Sequence, residues 1–230
     1  MTARKRVAVL ASGGGSNLQA VIDHLAALGG RRSADVVLVV AGRESAGALA
    51  RARRGAIATA VTAPDSLAEI LDRHAIDLVV LAGYLSFVPV AVTERWAGRI
   101  INVHPALLPS FGGHGLFGGR VHRAVLAAGV RVSGATVHFV DAEYDRGPII
   151  AQWPVPVAAG DTPESLAARV LRVEHLLLPR AVDALARGAV SLGADGRVRG
   201  GAAIAPMGPF TFHPSDDATL VAEIDALFPA

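Results

Sequence analysis

The sequence contains no cysteine, a single lysine among its 22 basic residues, few aromatic residues (5%) and no long uninterrupted apolar segment. The lack of cysteine excludes disulfide bonds, thiolate metal ligands and cysteine nucleophiles, and it fits a reducing compartment. The longest apolar segment, 78–92, contains glycine, serine and proline and is shorter than the roughly 20 residues that a membrane helix needs. The apolar run 7–11 behind the basic amino terminus is too short for a signal peptide. We therefore expect a cytoplasmic protein that does not bind membranes.

The overall composition is that of an ordinary globular protein. The chain has 230 residues, of which 52% are hydrophobic and 18% are charged. A chain of this length can bury one substantial core, either in one domain or in two tightly joined halves. The formal net charge of +2 is too small to predict binding to nucleic acid.

Short apolar runs alternate with amphipathic segments along the first 103 residues. The apolar runs predict buried strands and the amphipathic segments predict helices. The predicted strands are 7–10, 35–41, 57–61, 77–82 and 99–103, and the predicted helices are 17–28, 45–54, 66–74 and 90–97. This alternation is typical of an α/β protein with a right-handed, doubly wound, mostly parallel sheet.

The pattern changes after Pro105. A segment rich in glycine and proline extends to Gly119 and precedes a helix that ends near residue 128. Two strands follow at 134–140 and 148–157, and the turn 141–147 separates them. Consecutive strands joined by a turn predict an antiparallel or mixed edge to the sheet.

A long helix is predicted near the carboxyl terminus. Thr162 is typical of an N-cap and Pro163 of the first helical position, and the amphipathic pattern continues to about residue 187. The segment 201–230 is rich in glycine and proline and has no regular pattern. The predicted fold is thus Rossmann-like, with an antiparallel edge in its carboxyl-terminal half and a long carboxyl-terminal helix.

Two polar residues lie at the carboxyl end of the strand 99–103, one within it and one directly after it. Asn102 and His104 are two residues apart, so their side chains leave an extended strand on the same face. Ligands bind at the carboxyl ends of parallel strands, and an amide donor beside an imidazole can polarise a carbonyl and move a proton. The same residue types also serve as simple turn formers at strand ends, so the pair indicates a catalytic site only together with further residues.

The loop 12–17, Ser-Gly-Gly-Gly-Ser-Asn, lies between the first strand and the first helix. Backbone amides and a helix dipole in this order favour an anion such as phosphate. Leu18 occupies the place of the third glycine of a dinucleotide fingerprint, and the lysine of a P-loop is absent. A single phosphate monoester therefore fits best. The alternative is a tight turn in which Ser16 caps the helix.

A third candidate group follows in the predicted strand 134–140 and the turn after it. His138 lies on the strand, and Asp145 is followed by Gly147 and Pro148, which can hold a carboxylate rigidly. The turn also contains Asp141 and Glu143, so a metal site is an alternative. No histidine accompanies these three carboxylates in the turn, and oxygen ligands for hard cations are usually spaced more densely, so we expect no metal.

Five segments together resemble the phosphoribosylglycinamide formyltransferases, the folate-dependent formyl transfer enzymes of purine synthesis. They are residues 12–20, 81–84, 102–110, 137–140 and 145–148, and the resemblance extends over about 5–192. It implies transfer of a formyl group from the co-substrate 10-formyltetrahydrofolate to the amine of N1-(5-phospho-D-ribosyl)glycinamide. It also implies small-molecule substrates, no metal, and a monomer or homodimer.

The resemblance assigns roles to individual positions. The positions matching the catalytic residues are Asn102, His104 and Asp145. Those matching the phosphate and ribonucleotide contacts are Gly15, Ser16, Asn17, Leu171, Arg172, Val173 and Glu174. Those matching the folate pocket are Leu85, Ser86, Phe87, Val88, Asn102, Asp141, Ala142, Glu143, Tyr144 and Asp145. Two further positions support the site: His138 and Pro109, the second after a cis peptide bond.

The resemblance also predicts how the chain is divided. One formyltransferase domain is expected over 1–200, with a nucleotide half at 1–103 and a folate-binding, catalytic half at 104–200, followed by a tail at 201–230. Leu85 and Ser86 stand where the family usually has methionine and arginine. An arginine contact to the glutamate tail of the folate is therefore not expected at Ser86.

Three other functions are compatible with parts of this pattern. A methionyl-tRNA formyltransferase shares the Asn-x-His pair, but the residues after 192 are too few for its second, tRNA-binding domain. A formyltetrahydrofolate hydrolase normally carries a regulatory domain ahead of the first strand. A non-catalytic regulator that binds folate or nucleotide would not need Asn102, His104 and Asp145 together.

Overall fold

A computed structural model describes residues 3–200, the backbone of 207–208 and 211–212, and residue 226. The strands are β1 Lys5–Leu10, β2 Ala34–Ala41, β3 Ala58–Val61, β4 Leu78–Leu81, β5 Ile100–His104, β6 Val132–Phe139, β7 Ile149–Pro156, β8 Val190–Leu192, β9 Val198–Gly200, β10 Met207–Gly208 and β11 Thr211–Phe212. The helices are α1 Ser16–Ala27, α2 Gly47–Arg54, α3 Leu67–Arg73, α4 Val90–Arg95, α5 Gly119–Ala127 and α6 Pro163–Ala186. Most of the predicted tail 201–230 lies outside the described residues.

The first seven strands form one sheet in the order β3-β2-β1-β4-β5-β6-β7. The strands β1 to β5 are parallel, and β6 runs antiparallel between β5 and β7. The predicted doubly wound, mostly parallel sheet with an antiparallel edge region is therefore confirmed. The strand order reverses between β1 and β4, and ligands of open α/β sheets bind in the crevice at such a reversal.

Alternating residues of the strands point to opposite faces of this sheet and build two apolar layers. Val7 and Val9 of β1 face the layer that contains residues of α1, α2, α5 and α6, whereas Ala8 and Leu10 face α3 and α4. Both layers are fully buried at β1, so the strand has the continuous apolar sequence of a central parallel strand. Among the described residues, no helix is long and apolar enough to cross a membrane.

The long helix α6 begins where the sequence predicts. The Thr162 hydroxyl accepts a hydrogen bond from the Ser165 amide at 3.2 Å, and the Ser165 hydroxyl accepts one from the Thr162 amide at 3.0 Å. This reciprocal pair satisfies two backbone donors at the helix start. The helix packs against α1 and β6, and this contact brings its buried face beside the loop 12–17.

The structure differs from the predicted elements mainly at their ends. Helix α2 begins at Gly47 rather than at residue 45, and a 3-10 turn over Pro64–Ser66 precedes α3. The hairpin of β8 and β9 was not predicted, because each strand has only three residues and the region lacks a period-2 pattern.

Candidate active site

A cavity of about 520 Å³ lies at the carboxyl ends of the parallel strands, where the sheet order reverses. At one end it is lined by Ser12, Gly13 and Asn17, and at the other by Asn102 and His104. The Ser12 amide donates to the Gly83 carbonyl, which joins the loops that follow β1 and β4. The fold thus connects two separate sequence motifs through one cavity.

Two neighbouring strands place the polar side chains at the second end of the cavity. Asn102 of β5 lies opposite His138 of β6, and Asn102 Nδ2 is 3.1 Å from His138 Nε2. The other ring nitrogen of His138 donates to the Phe139 carbonyl at 2.7 Å. Because a carbonyl can only accept, Nδ1 carries a proton, and the ring presents Nε2 to the Asn102 amide and to Asp145.

The two ring nitrogens of His104 contact different groups. Its Nε2 donates to the Phe111 carbonyl at 2.9 Å, and its Nδ1 lies 3.5 Å from Asp145 Oδ2. The side chain is only 4% exposed. Since Nε2 must carry a proton to bond a carbonyl, Nδ1 is the nitrogen that gains or loses a proton beside the carboxylate.

Burial sets the titration of His104. It lowers the pKa of the imidazole below its ordinary value, although the charge of Asp145 and the hydrogen bond to Phe111 both raise it. Removal of the ring from water outweighs the nearby charge, and the neutral form is favoured.

Asp145 is fixed by its turn and by three neighbours. Its φ is +56°, in the left-handed region, and Oδ2 accepts from the Gly113 amide at 2.9 Å. Its Oδ1 lies 3.6 Å from His138 Nε2. Burial raises the pKa of this carboxyl, but His138, His104 and the Gly113 amide together bring the pKa below its usual value. Asp145 is thus an anion near neutral pH.

Glycine is required at the turn that presents Asp145. A Cβ at Gly147 would lie 1.9 Å from the Phe139 carbonyl oxygen, and one at Gly112 would lie 2.4 Å from Leu108 Cδ2. The Leu108–Pro109 peptide bond is cis, as the sequence predicts.

The glycine loop, residues 12–17, lies at the other end of the cavity and is held in place by hydrogen bonds to its carbonyl groups. Every carbonyl oxygen of 12–15 accepts a hydrogen bond, and the donors in chain order are Arg43 Nη2 at 3.2 Å, the Ala48 amide at 3.1 Å, Arg51 Nε at 2.7 Å and the Gln19 amide at 3.0 Å. By contrast, within the described part of the chain no amide of 13–17 donates to a protein acceptor. The loop therefore offers a set of free donors of the kind that binds anions.

Close packing on α2 shapes the glycine loop. Gly15 has φ +75°, and a Cβ there would lie 2.8 Å from the Cα of Ala48. Gly47 in turn lies so close to Gly14 that its Cβ would be 3.1 Å from the Gly14 Cα. The third residue after Gly15 is Leu18, which is buried in the core rather than placed beside a ligand.

Glu174 of α6 meets the glycine loop through Asn17. Asn17 Nδ2 donates to Glu174 Oε2 at 2.6 Å, across 157 residues of sequence. Both side chains are buried, and Asn17 Oδ1 has no partner among the described residues. Burial raises the pKa of Glu174 to about 7, and the hydrogen bond from Asn17 lowers it only in part. The Glu174 carboxyl, which titrates near neutral pH, thus lines the cavity beside Asn17 Oδ1, which has no hydrogen-bond partner among the described residues.

The remaining residues that were predicted to contact the ribonucleotide lie in different surroundings. Leu171 lines the cavity with Glu174, whereas Arg172 is exposed and Val173 lies in the apolar core. Successive residues of a helix point about 100° apart, so only part of this segment can face one cavity. Ser16 lines a separate small pocket, together with Gln19, Arg51 and His175.

Most of the predicted folate positions line the cavity. They are Leu85, Ser86, Phe87, Val88, Asp141, Glu143, Tyr144 and Asp145; Ala142 is not among the lining residues. Phe87 and Tyr144 have ring centroids 5.3 Å apart, and both are about 40% exposed. This exposed aromatic surface beside a cavity suits a flat, partly apolar ligand.

Several residues of the site were not identified from the sequence. Arg43 lines the cavity from the loop after β2, and its position at the carboxyl end of a parallel strand was the available signal. His122 lies in the first turns of α5, is 4% exposed, and its Nδ1 has no partner among the described residues. Burial, with the neighbouring His104, lowers the pKa of His122. The loop before α5 lines the cavity through Gly113 and the segment 115–119.

The acidic turn does not assemble a metal site. Among the described residues there is no group of three or more His, Cys, Asp or Glu side chains that could hold a metal ion. Asp141 instead caps its own turn, because its Oδ1 accepts from the Glu143 amide at 2.9 Å.

Comparisons with known proteins point to one enzyme family. The family model described as formyl transferase matches residues 5–182. The chain is 43% identical to the chloroplastic phosphoribosylglycinamide formyltransferase of Arabidopsis thaliana over 84% of this chain and 69% of that protein. It is 37% identical to the phosphoribosylglycinamide formyltransferase of Escherichia coli over 88% of this chain and 97% of that protein. It spans only 20% of the trifunctional purine biosynthetic protein of Gallus gallus.

Solved structures show the same relationship. The glycinamide ribonucleotide transformylase 1 of Symbiobacterium toebii has a TM-score of 0.78 and 40% identity, covering 85% of this chain and 93% of that one. A formyltetrahydrofolate deformylase of Pseudomonas syringae has a TM-score of 0.76 but 26% identity, and the match covers 86% of this chain and 66% of that one.

Proposed function

The chain belongs to the formyl transferase family, among the phosphoribosylglycinamide formyltransferases, and from this membership we propose its reaction. It transfers the formyl group of 10-formyltetrahydrofolate to the amino group of N1-(5-phospho-D-ribosyl)glycinamide, giving the formylglycinamide ribonucleotide and tetrahydrofolate in purine biosynthesis. One observation carries this proposal beyond the family: a single cavity joins a loop of free amides to the His104–Asp145 pair.

The ribonucleotide is proposed to bind across the glycine-loop end of the cavity. The free amides of 13–17 and the amino end of α1 favour the dianionic phosphate. Asn17 and Glu174 lie next to this loop and offer an amide oxygen and a carboxyl to the hydroxyl groups of a ribose or to the glycinamide. Phosphate binding far from the reacting atoms positions the amine for attack.

The folate is proposed to occupy the middle of the cavity, against Phe87 and Tyr144. The exposed rings there and the backbone of 85–88 fit a flat heterocycle joined to a benzoyl group. When bound, the folate supplies the formyl carbon that the amine attacks.

Three side chains are proposed to carry the chemistry. Neutral His104 can accept at Nδ1 the proton that the attacking amine loses, and Asp145 then stabilises the imidazolium at 3.5 Å. The imidazolium can return this proton to the folate nitrogen as the bond between that nitrogen and the formyl carbon breaks, which releases tetrahydrofolate. The Asn102 amide can donate to the oxygen on which negative charge develops. Because burial keeps His104 neutral, the imidazole can act as a base near neutral pH. His138 keeps the Asn102 amide in place through the 3.1 Å contact.

The direct test mixes the protein with 10-formyltetrahydrofolate and the ribonucleotide and follows the loss of the formyl-folate. We expect turnover only when both substrates are present, with the formylated ribonucleotide as product. Release of formate without any acceptor amine would instead identify a hydrolase, which the likeness to a deformylase makes the relevant second candidate. A folate-binding regulator would show neither reaction.

Domain organisation, location and assembly follow from the same proposal. Residues 1–200 are proposed to fold as one domain, since β5 and β6 pair across the boundary between its two halves. We propose a cytoplasmic monomer or homodimer that binds small molecules and no nucleic acid. Size-exclusion chromatography with light scattering distinguishes the two assembly states.

A further inference from the structure

Among the described residues that do not line the cavity, Arg51 makes the shortest hydrogen bond to the glycine loop. It lies on α2, and its Nε donates to the Gly14 carbonyl at 2.7 Å. It is absent from the lining of the main cavity and lines only the neighbouring small pocket. Its guanidinium therefore contacts the back of the loop.

A chain of polar contacts holds Arg51 in this position. Arg51 Nη1 lies 3.5 Å from Gln19 Oε1, and Gln19 Nε2 donates to Asp23 Oδ1 at 2.8 Å. Gln19 and Asp23 both lie on α1, whose first turn carries free amides of the loop. Arg51 thus links α2, α1 and the loop between β1 and α1.

The direction of a peptide carbonyl fixes the direction of the amide that follows it, because the peptide unit is planar. Holding the Gly14 carbonyl toward α2 turns the Gly15 amide away from α2. Three consecutive glycines have little preference of their own for this arrangement, since glycine loses the most conformational freedom on folding. A charged donor at 2.7 Å is a strong constraint on such a loop.

We infer that Arg51 is a positioning residue for the 5′-phosphate of the ribonucleotide. It acts through the Gly14 carbonyl by keeping the loop amides oriented for a phosphate dianion, and its positive charge adds to the field of the loop. This inference rests on the proposed function, because it presumes that the loop binds the substrate phosphate.

The test compares Arg51→Ala and Arg51→Lys with the matched control Arg53→Ala. Arg53 is on the same helix, is exposed and pairs with Glu44, and within the described part of the chain it makes no hydrogen bond to the loop. We expect Arg51→Ala to raise the KM for the ribonucleotide about tenfold, as the loss of one charge-assisted hydrogen bond would. The kcat and the KM for the formyl-folate should stay unchanged. Arg51→Lys should show a smaller rise, because lysine keeps the charge without the planar donor geometry.

A truncated substrate separates positioning of the phosphate from a general structural effect. With the glycinamide riboside, which has no phosphate, Arg51→Ala and the unmodified protein should have equal kcat/KM. An equal loss with the riboside and the ribonucleotide would overturn the inference. So would a KM for the ribonucleotide within twofold of that of Arg53→Ala.

Binding of inorganic phosphate tests the inference without turnover. We expect phosphate to raise the melting temperature of the unmodified protein and of Arg53→Ala, and to raise that of Arg51→Ala clearly less. Equal shifts in all three would overturn the role of Arg51. Failure of the proposed reaction would show separately, as an absence of formyl transfer by the unmodified protein.

Discussion

The two ends of the cavity are built from different parts of the polypeptide. At the glycine loop the available groups are main-chain amides, while the carbonyl groups of the loop accept hydrogen bonds from α1, α2 and the loop that precedes α2. At the ends of β5 and β6 the available groups are the side chains of Asn102, His104 and Asp145. Amides bind a fixed charge without titrating, whereas buried side chains can exchange protons. We therefore expect changes at the first end to act on ribonucleotide affinity and changes at the second to act on kcat.

Both ends nevertheless depend on glycine for close packing. Gly15 lets the loop approach Ala48, and Gly147 lets the acidic turn approach the Phe139 carbonyl. In each case a backbone segment is held against a neighbouring element, so that donors or a carboxylate are presented in one orientation. Rigid placement of this kind is what both anion binding and proton transfer require.

The largest effect is expected for Asp145→Asn, which keeps the side-chain shape and removes the charge beside His104. The kcat should fall about a thousandfold, within the range usual for acid–base groups, while the ribonucleotide Kd stays near its original value. Steady-state kinetics and calorimetry measure the two quantities. His104→Ala should behave alike, and the double variant should lose far less than the product of the single effects. Simple multiplication of the two losses would show that the residues act independently.

The pH profile of Asp145→Asn sharpens this prediction. The Asp145 charge raises the pKa of His104, so removing it lowers that pKa further. If neutral His104 is the base, the acid limb of residual kcat moves to lower pH in the variant. A limb that moves to higher pH would assign the proton transfer to another group.

Glu174→Gln isolates the titrating side chain beside the glycine loop, because Glu174 is the one strongly perturbed carboxyl at this end among the described residues. Burial raises the pKa from 4.5 to about 7, so the folded protein holds a proton that the unfolded chain releases between these values. Glu174 should therefore contribute a fall of roughly 3 kcal/mol in the free energy of unfolding as the pH rises from about 4.5 to about 7. In Glu174→Gln this contribution should be absent. Urea unfolding at several pH values measures it, with exposed Glu164→Gln as the control that keeps the contribution.

The pair Gly15→Ala and Gly147→Ala tests the two ends with the same chemical change. Each added methyl group meets backbone or Ala48 atoms at less than a normal contact distance, which costs about 1–3 kcal/mol in a packed site. Gly15→Ala should raise the ribonucleotide KM with little change in kcat, and Gly147→Ala should lower kcat. Melting temperatures must accompany the kinetics. If both variants change the same parameter, the two ends do not act separately.

The smallest effect is expected for Thr162→Ala, which touches neither end. It removes the side-chain cap at the start of α6 and should lower the free energy of unfolding by about 1 kcal/mol. The kcat and both KM values should stay unchanged at a temperature where the protein is folded. A rise in ribonucleotide KM would show that α6 transmits strain from its first turn to Glu174.

Local patterns in the sequence were sufficient for the fold and for the separate motifs. Alternation of apolar and amphipathic segments predicted the parallel strands and their helices, and Thr162 with Pro163 predicted the start of α6. The Asn102 and His104 pair and the loop 12–17 were recognisable because each lies within one short segment. Short elements such as β8 and β9 were not predicted, because three residues are too few to show the alternation of apolar and polar residues that is typical of a strand.

Only the tertiary structure decided how these motifs meet and how they titrate. It brought His104 to Asp145, Asn17 to Glu174 and Arg51 to the Gly14 carbonyl. It also set the direction of the His104 pKa, because burial of the ring results from the packing of the fold. Periodicity and turn chemistry are properties of neighbouring residues, so the sequence alone determines them. Burial and the distance between remote side chains depend on the packing of the whole chain, because desolvation and Coulomb energies are set by what surrounds a group in space.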